Sequence, residues 1–180
     1  MHHEFQTDNP FDSFAGVWRR VTTEPRSFFQ DMPVSGGLQH PLLFMTICLA
    51  LDSLGFLIFG PRGLALWFFA GGIVRAFVGA AILMVIARQL FAGVGDYEAT
   101  FRVLAYASAP AALLWIPLIR PLVALYGLFL VIVGLERVHG FDAVKSVLTV
   151  LLGVIAVAAI GWVLGGCCGW LPMPMMRRGW

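Results

Sequence analysis

The sequence predicts an all-α polytopic membrane protein with five transmembrane helices, and three observations support this fold class. The stretch from Pro41 to Met176 is almost continuously apolar, interrupted only by short turn-like segments. Hydrophobic residues make up 59% of the 180 residues and charged residues only 12%, and the mean hydropathy is +0.85. A water-soluble domain of this length would need far more charged surface. We therefore expect the bulk of the chain to lie inside a lipid bilayer.

Charge and cysteine content exclude several other classes of protein. The net charge of +2 and the lack of a dense basic run argue against nucleic-acid binding. Cys48 falls in the first predicted span and the Cys167–Cys168 pair at the far end of the last, too far apart for a disulfide.

Because the N-terminus lacks a basic region before a short apolar core, we expect the first span to act as an uncleaved insertion signal.

Residues 1–40 are expected to form a cytoplasmic N-terminal arm that contains an amphipathic interfacial helix. Several apolar residues of the arm follow i, i+3, i+4 spacing, which places them on one helical face; they are Phe11, Phe14, Val17, Trp18 and Val21. We expect this face to lie in the membrane interface, with Arg19, Arg20 and Arg26 directed towards lipid headgroups. Gly36-Gly37 would provide the hinge into the membrane.

Residues 41–170 are expected to form the five-helix transmembrane domain, followed by a short tail at residues 171–180. The predicted spans are 41–60, 64–87, about 101–117, about 121–136 and about 145–165. At 1.5 Å per residue, the third and fourth would be roughly 25 Å and 23 Å long, short of a hydrocarbon core of about 30 Å. We therefore expect that hairpin to sit shallow in the bilayer or to be re-entrant.

The distribution of Lys and Arg predicts the orientation of these spans. Seven fall on the N-terminal side, namely Arg19, Arg20, Arg26, Arg88, Arg102, Arg137 and Lys145. Four fall on the other side, namely Arg62, Arg120, Arg177 and Arg178. Because cytoplasmic loops carry an excess of Lys and Arg, this count places the N-terminus in the cytoplasm and the C-terminus outside the cell.

Asp52 and Arg75 are the charged residues that lie deep inside predicted spans. Counted from the cytoplasmic boundaries near residues 40 and 88, the two lie at similar depth, roughly 18 Å from the inner edge. An unpaired ion there is costly, so we expect Asp52 and Arg75 to form an intramembrane polar pair. The pair either fixes the register of the first hairpin or belongs to a substrate or ion pathway.

The cytoplasmic face collects further polar residues, of which His40, Glu136, Arg137 and His139 form one candidate cluster. This cluster contains no HExxH motif, no close histidine pair and no repeated ligand spacing. We therefore expect solvated interfacial charges there, with no metal site and no cofactor. We also expect residues 88–102 to be an exposed connection, and we find no nucleophile–base arrangement typical of a catalytic site.

One stretch, Gly93–Pro110, carries a pattern more specific than composition. Its characteristic residues are Gly95, Tyr97, Glu98, Phe101, Arg102, Tyr106 and Pro110. Together with pieces in residues 17–42 and 126–140, their order and spacing resemble the bacterial branch of the Yip family, which is named for membrane proteins that interact with Ypt/Rab GTPases. The resemblance covers the chain from about Phe14 to Leu164.

The resemblance implies a five-helix membrane domain with a cytoplasmic N-terminus. Eukaryotic Yip proteins work in early secretory traffic, form hetero-oligomers and bind Rab GTPases through their cytoplasmic parts. A bacterium-like chain with this short arm is expected to lack a Rab partner. The family pattern implies no catalytic residues.

We therefore expect a non-enzymatic integral membrane protein that acts in membrane organisation or as a scaffold. Its expected partners are the lipid bilayer and either a second copy of the chain or other membrane proteins. The alternative is a small transporter, channel or lipid-translocating protein that uses Asp52 and Arg75. The prolines of the third and fourth spans, Pro110, Pro117 and Pro121, favour that alternative, because irregular helices at membrane depth usually line protein or water.

Overall fold

The computed structural model describes residues 10–59 and 62–167, and this part of the chain is helical without any strand. Seven α-helices and one 3₁₀ helix follow one another in it. They are α1 (Pro10–Thr23), α2 (Pro25–Asp31), α3 (Gln39–Phe59), α4 (Arg62–Phe91), α5 (Tyr97–Ala107), the 3₁₀ helix (Ala109–Leu113), α6 (Arg120–His139) and α7 (Ala143–Cys167). The predicted tail at residues 171–180 lies outside the described residues.

Four of these helices, α3, α4, α6 and α7, are long and apolar enough to cross a membrane. They correspond to the first, second, fourth and fifth predicted spans. The fourth is longer than its sequence pattern indicated, because α6 continues through Glu136 and Arg137 to His139 and has 20 residues. At 1.5 Å per residue, α6 covers about 30 Å, the thickness of a hydrocarbon core.

The third predicted span, about 101–117, is not a single helix. The 11-residue helix α5 ends at Ala107, and the chain continues as the 3₁₀ helix and a turn. Pro110 explains the break, because proline has no backbone N–H to donate and disfavours α conformation in the residue before it. The Ser108 hydroxyl donates to the carbonyl oxygen of Ala105 at 2.6 Å and so closes the end of α5.

Side-chain contacts show that the five helical segments after the arm alternate in direction. Helix α4 is antiparallel to α3 and to α7, helix α6 is antiparallel to α5, and the unit made of α5 and the 3₁₀ helix runs parallel to α3. The contacts that establish this are Leu49–Gly72, Phe56–Phe68, Leu83–Gly153, Phe91–Phe141, Val103–Gly134, Thr100–His139, Phe44–Tyr106 and Gly55–Trp115. The start of α3 and the end of α7 therefore lie at opposite ends of the bundle.

The arm packs its apolar face into the helical bundle, which corrects the expectation that this face lies in the lipid interface. Val21, Phe28 and Phe29 are at most 1% exposed and belong to the main hydrophobic core. Phe28 packs edge-on against Tyr106 of α5, with ring centroids 5.1 Å apart. Val17 and Val21 of the i, i+3, i+4 pattern are buried, and Phe14 and Trp18 pack against the same core, so protein covers this face. The side chain of Phe11 lies outside the described residues. The contact of the arm's arginines with headgroups stays a prediction.

Two hydrogen bonds fix α1 to the spans. The indole Nε1 of Trp18 donates to the carbonyl oxygen of Ala109 at 2.8 Å, in the 3₁₀ helix where the regular helical pattern is interrupted. The hydroxyl of Tyr126 on α6 donates to the carbonyl oxygen of Thr22 at 2.8 Å, at the end of α1. Buried Trp and Tyr side chains need such partners for their polar atoms, and here those partners join the arm to the bundle.

The tight packing of α5 against α6 gives a matched pair of glycine substitutions. A Cβ at Gly134 would lie 2.9 Å from Cγ2 of the buried Val103, whereas a Cβ at Gly161 has no atom within 4 Å. We expect Gly134→Ala to lower the free energy of unfolding by about 1–3 kcal/mol through overpacking. Gly161→Ala should raise it by about 0.5–1 kcal/mol, because alanine loses less backbone entropy in a helix. Thermal melting in detergent measures both, and shifts of the same sign would contradict this packing.

Candidate functional site

The predicted family motif contains a buried arginine, Arg102, on α5. Arg102 is 0% exposed, and its guanidinium reaches the loop between α2 and α3. Nη1 donates to the carbonyl oxygen of Pro33 at 3.1 Å, and Nη2 donates to that of Gly37 at 2.8 Å. The expectation that residues 88–102 form an exposed connection is therefore wrong at Arg102. Its donors point inwards because the arm closes over α5.

Glu98 completes this contact from the preceding turn of α5. One carboxylate oxygen, Oε1, accepts from Nε of Arg102 at 3.3 Å and from the backbone N–H of Gly37 at 2.7 Å. Arg102 and Glu98 thus bind both the N–H and the C=O of Gly37. We call this group, made of Arg102, Glu98, Pro33 and Gly37, the arm clamp.

The two glycines of the predicted hinge are required by the geometry of the arm clamp. Gly36 and Gly37 have φ angles of +130° and +90°, in a region that other residues rarely adopt. A Cβ at Gly36 would also lie 2.9 Å from Nη2 of Arg102. The predicted hinge is therefore held in place by hydrogen bonds, and its glycines let the backbone approach the guanidinium closely.

The remaining motif residues on and after α5 serve packing. Tyr106 is fully buried among the aromatic rings of the arm and α3. Phe101 packs on Phe77 of α4 with ring centroids 4.6 Å apart, and the hydroxyl of Tyr97 donates to the carbonyl oxygen of Phe77 at 3.2 Å. Pro110 is buried at the helix break. The motif therefore describes how α5 is held.

His139 does not belong to a solvated cluster, which corrects that prediction. It is 2% exposed, and its ring stacks on Phe141 with centroids 5.3 Å apart. The Thr100 hydroxyl donates to the carbonyl oxygen of Asp96 at 2.8 Å, so Thr100 accepts from Nε2 of His139 at 3.1 Å. A Cβ at Gly95 would lie 2.8 Å from Cε1 of His139, so this motif glycine makes room for the imidazole.

The other members of the predicted cluster are more exposed than His139. His40 and Glu136 are half-buried, and Arg137 is exposed. The backbone carbonyl of Glu136 accepts from Phe141 at the end of α6, where Gly140 has a φ of +67°. Within the described residues, no group of three or more His, Cys, Asp or Glu could hold a metal ion.

Asp52 and Arg75 are not brought together as an ion pair, in contrast to the prediction. Asp52 is 8% exposed, and its Oδ1 has no hydrogen-bond partner, whereas Arg75 is exposed. The contacts Leu49–Gly72 and Phe56–Phe68 place Asp52 level with residues 69–72 of α4. Arg75 is thus displaced along α4 by three to six residues, about 5–9 Å.

The predicted depths of Asp52 and Arg75 are wrong because the last residues of α4 extend beyond the first residues of α3. Helix α4 has 30 residues and α3 has 21. Counting inwards from residue 88 therefore places Arg75 closer to the level of Asp52 than it is. Of the two cations that act electrostatically on Asp52, Arg120 has the larger effect and Arg75 the smaller. The guanidinium of Arg120 lies 5.0 Å from the ring centroid of Phe56, one turn after Asp52. Sequence reasoning missed Arg120 because it placed that residue between the third and fourth predicted spans and not inside one.

Two described cavities are lined by apolar side chains. One of about 450 Å³ lies between α1, α3 and the segment after α5, with Phe14, Leu54 and Trp115 in its wall. The other, of about 360 Å³, lies between α4, α5, α6 and α7, beside Leu83 and Leu104. Neither cavity is lined by Asp52 or Arg75.

The family model of the Yip1 domain matches residues 19–165. The chain belongs to the Yip family. The resemblance to the Yip family is thereby confirmed, and the bacterial branch stays a prediction. The match covers the end of α1, all of α2 to α6 and α7 up to residue 165. The arm clamp thus lies wholly inside the Yip1 domain. No match was found among curated proteins or among solved structures.

The arm clamp predicts that one substitution loosens the arm of this Yip1 domain. Arg102→Met removes the donors to Pro33, Gly37 and Glu98, and we expect the free energy of unfolding to fall by about 2–4 kcal/mol. Backbone amides of α2 should exchange hydrogen faster, as measured by mass spectrometry in detergent.

Arg20→Met is the matched control for this experiment. Arg20 pairs with Asp31 at 3.1 Å on the surface of the same arm, and exposed pairs contribute at most about 1 kcal/mol. Unchanged exchange of α2 in Arg102→Met would contradict a role of the clamp in holding the arm.

The position of Arg120 predicts which cation is coupled to Asp52. We expect Asp52→Asn and Arg120→Gln to show a coupling free energy of about 0.5–3 kcal/mol in a double-mutant cycle. Asp52→Asn and Arg75→Leu should be additive to within about 0.5 kcal/mol. Thermal melting of the single and double variants in detergent provides both cycles. A larger coupling to Arg75 than to Arg120 would restore the original pair.

Proposed function

We propose that this Yip-family protein is a non-enzymatic scaffold of the cell membrane that holds other membrane or membrane-associated proteins. The observation that carries the proposal is the use of polar side chains that are buried or partly buried. Arg102, Trp18 and Tyr126 bind backbone atoms of distant parts of the same chain. These hydrogen bonds hold the arm against the spans, as a binding platform requires. The two cavities described above are lined by apolar side chains.

The outer face of the arm is the polar surface that such a platform would present. Arg19, Glu24, Arg26 and Asp31 are exposed, while the opposite face of the same helices is buried in the bundle. Their charges are therefore held at defined positions relative to the spans. A mixed-charge surface of this kind favours protein partners through electrostatic complementarity. A Rab GTPase is not part of the proposal.

The proposed topology has five crossings, with the N-terminus in the cytoplasm and the C-terminus outside the cell. The alternating directions of the five helical segments support an odd number of crossings. In this arrangement the third crossing is made by α5, the 3₁₀ helix and the turn up to Ile119, which together span residues 97–119. The excess of Lys and Arg on the N-terminal side supports the orientation.

The scaffold proposal predicts that the purified protein does not conduct solutes or translocate lipid. We expect proton, potassium and fluorescent-lipid movement in proteoliposomes to match that of protein-free vesicles, because the described cavities do not connect Asp52 to an aqueous surface. Asp52→Asn is the matched variant and should behave like the parent. Substrate-specific flux that falls in Asp52→Asn would overturn the proposal in favour of a transporter.

A second experiment tests binding directly. A photo-crosslinking amino acid at Arg19, on the exposed face of α1, should give discrete adducts in native membranes. The same amino acid at Val21, whose side chain is buried, is the matched control and should give crosslinks within the chain only. Absence of intermolecular adducts at Arg19 and at other exposed arm positions would contradict the proposed platform.

A further inference from the structure

The outward face of α4 carries an arginine in the middle of a membrane-spanning helix. Arg75 lies within the candidate span Ala65–Phe91 and is exposed. It is 13 residues from Arg62 and 13 from Arg88, the basic residues near the two ends of α4 (75 − 62 and 88 − 75). Since 13 helical residues cover about 20 Å, a bilayer centred on this apolar stretch has Arg75 near its midplane.

No acceptor within the described part of the chain neutralises Arg75. Arg75 has no hydrogen bond and no ion pair with a described side chain. It acts on Asp52 more weakly than Arg120 does. Arginines near helix ends reach the interface by extending along the helix, but the distance to either end of this stretch is too large for that. Ionisable residues at this depth face protein or water and pair with other groups.

We propose that this face of α4 binds a transmembrane helix of another membrane protein that carries an Asp or Glu at mid-depth. The inference rests on the scaffold function proposed above, and it names the chemistry of one partner. A carboxylate satisfies a guanidinium with charge-assisted hydrogen bonds. In hydrocarbon, water does not compete for either group, so the carboxylate of the partner helix and the guanidinium of Arg75 each stabilise the other.

The shape of the surface around Arg75 fits a helix. Gly71, one turn away on the same side, has no atom within 4 Å of a Cβ position, so a partner backbone can approach closely there. Trp67, Val74 and Val78 are between 43% and 73% exposed and flank the arginine with apolar contact area. The combination is a charged anchor beside a small residue within an apolar face.

A symmetric contact between two α4 helices does not supply the missing carboxylate. A two-fold contact between α4 helices would place two Arg75 side chains against each other, and like charges across an interface oppose association. Asp52 of a copy is also unsuitable, because it is buried between helices of its own bundle. We therefore commit to a different membrane protein as the partner, and self-association is one of the outcomes that the test distinguishes.

A synthetic peptide tests the proposal without knowledge of the natural partner. The probe is a Leu/Ala transmembrane helix with a single Glu at its midpoint, and the control peptide has Gln there. Binding to the labelled full-length protein is measured by energy transfer in phosphatidylcholine vesicles. We expect the parent to bind the Glu peptide about tenfold more tightly than the Gln peptide.

Two variants make the outcome specific to Arg75. Arg75→Gln should abolish the preference for Glu, while Arg88→Gln, at the exposed end of the same helix, should retain it. Equal binding of both peptides by the parent, or a preference that survives Arg75→Gln, overturns the proposal.

Other occupants of the surface give distinct results in the same vesicles. Energy transfer between labelled copies that depends on Arg75 would identify self-association, and Arg75-dependent enrichment of labelled phosphatidylglycerol beside α4 would identify a lipid. Either result overturns the proposal. Failure of the peptide test leaves the flux and arm-crosslinking results unaffected, so it is distinguishable from failure of the scaffold function.

Discussion

The guanidinium of Arg102 is buried where the N-terminal arm meets α5, and the position of the whole arm depends on it. Burying this cation is costly unless its donors are satisfied, and Pro33, Gly37 and Glu98 satisfy them. The backbone can come close enough only because glycine stands at the corner before α3. Charge burial, backbone conformation and the entry angle of the first span are therefore one constraint, which links the arm to the membrane domain.

Composition and apolar periodicity were sufficient for the parts of the fold that depend on local chain properties. The apolar runs that became α3, α4 and α7 are long enough to cross a bilayer, and hydrophobic sequence alone requires that solution. Helix α6 reaches this length only because it continues through Glu136 and Arg137 to His139. The relation between helices was less accessible. The register of α3 against α4 follows from their contacts near the turn, whereas the depth estimate used the opposite ends, where α4 extends beyond α3. Asp52 was consequently assigned to Arg75 and not to Arg120.

The arm shows why an amphipathic pattern does not identify what covers it. The spacing of Val17, Trp18 and Val21 predicts one apolar face, and lipid and protein satisfy that face equally well. The decision lies in long-range contacts, such as the carbonyl of Ala109 that accepts from Trp18. In the same way, Arg102 and Glu98 were recognisable from the spacing of the motif. Their role in the arm clamp became visible only with the loop that they bind.

These long-range bonds also impose an order on the biogenesis of the protein. Trp18 and Ala109 are separated by 91 residues, and Thr22 and Tyr126 by 104. At a synthesis rate of about 5–20 residues per second, the arm therefore waits roughly 5–20 s before its binding surface has been made. During this interval the side chains of Phe28 and Phe29 have no bundle to enter, and the headgroup region or the insertion machinery must shelter them. The arm is thus translated before the segments on which it docks.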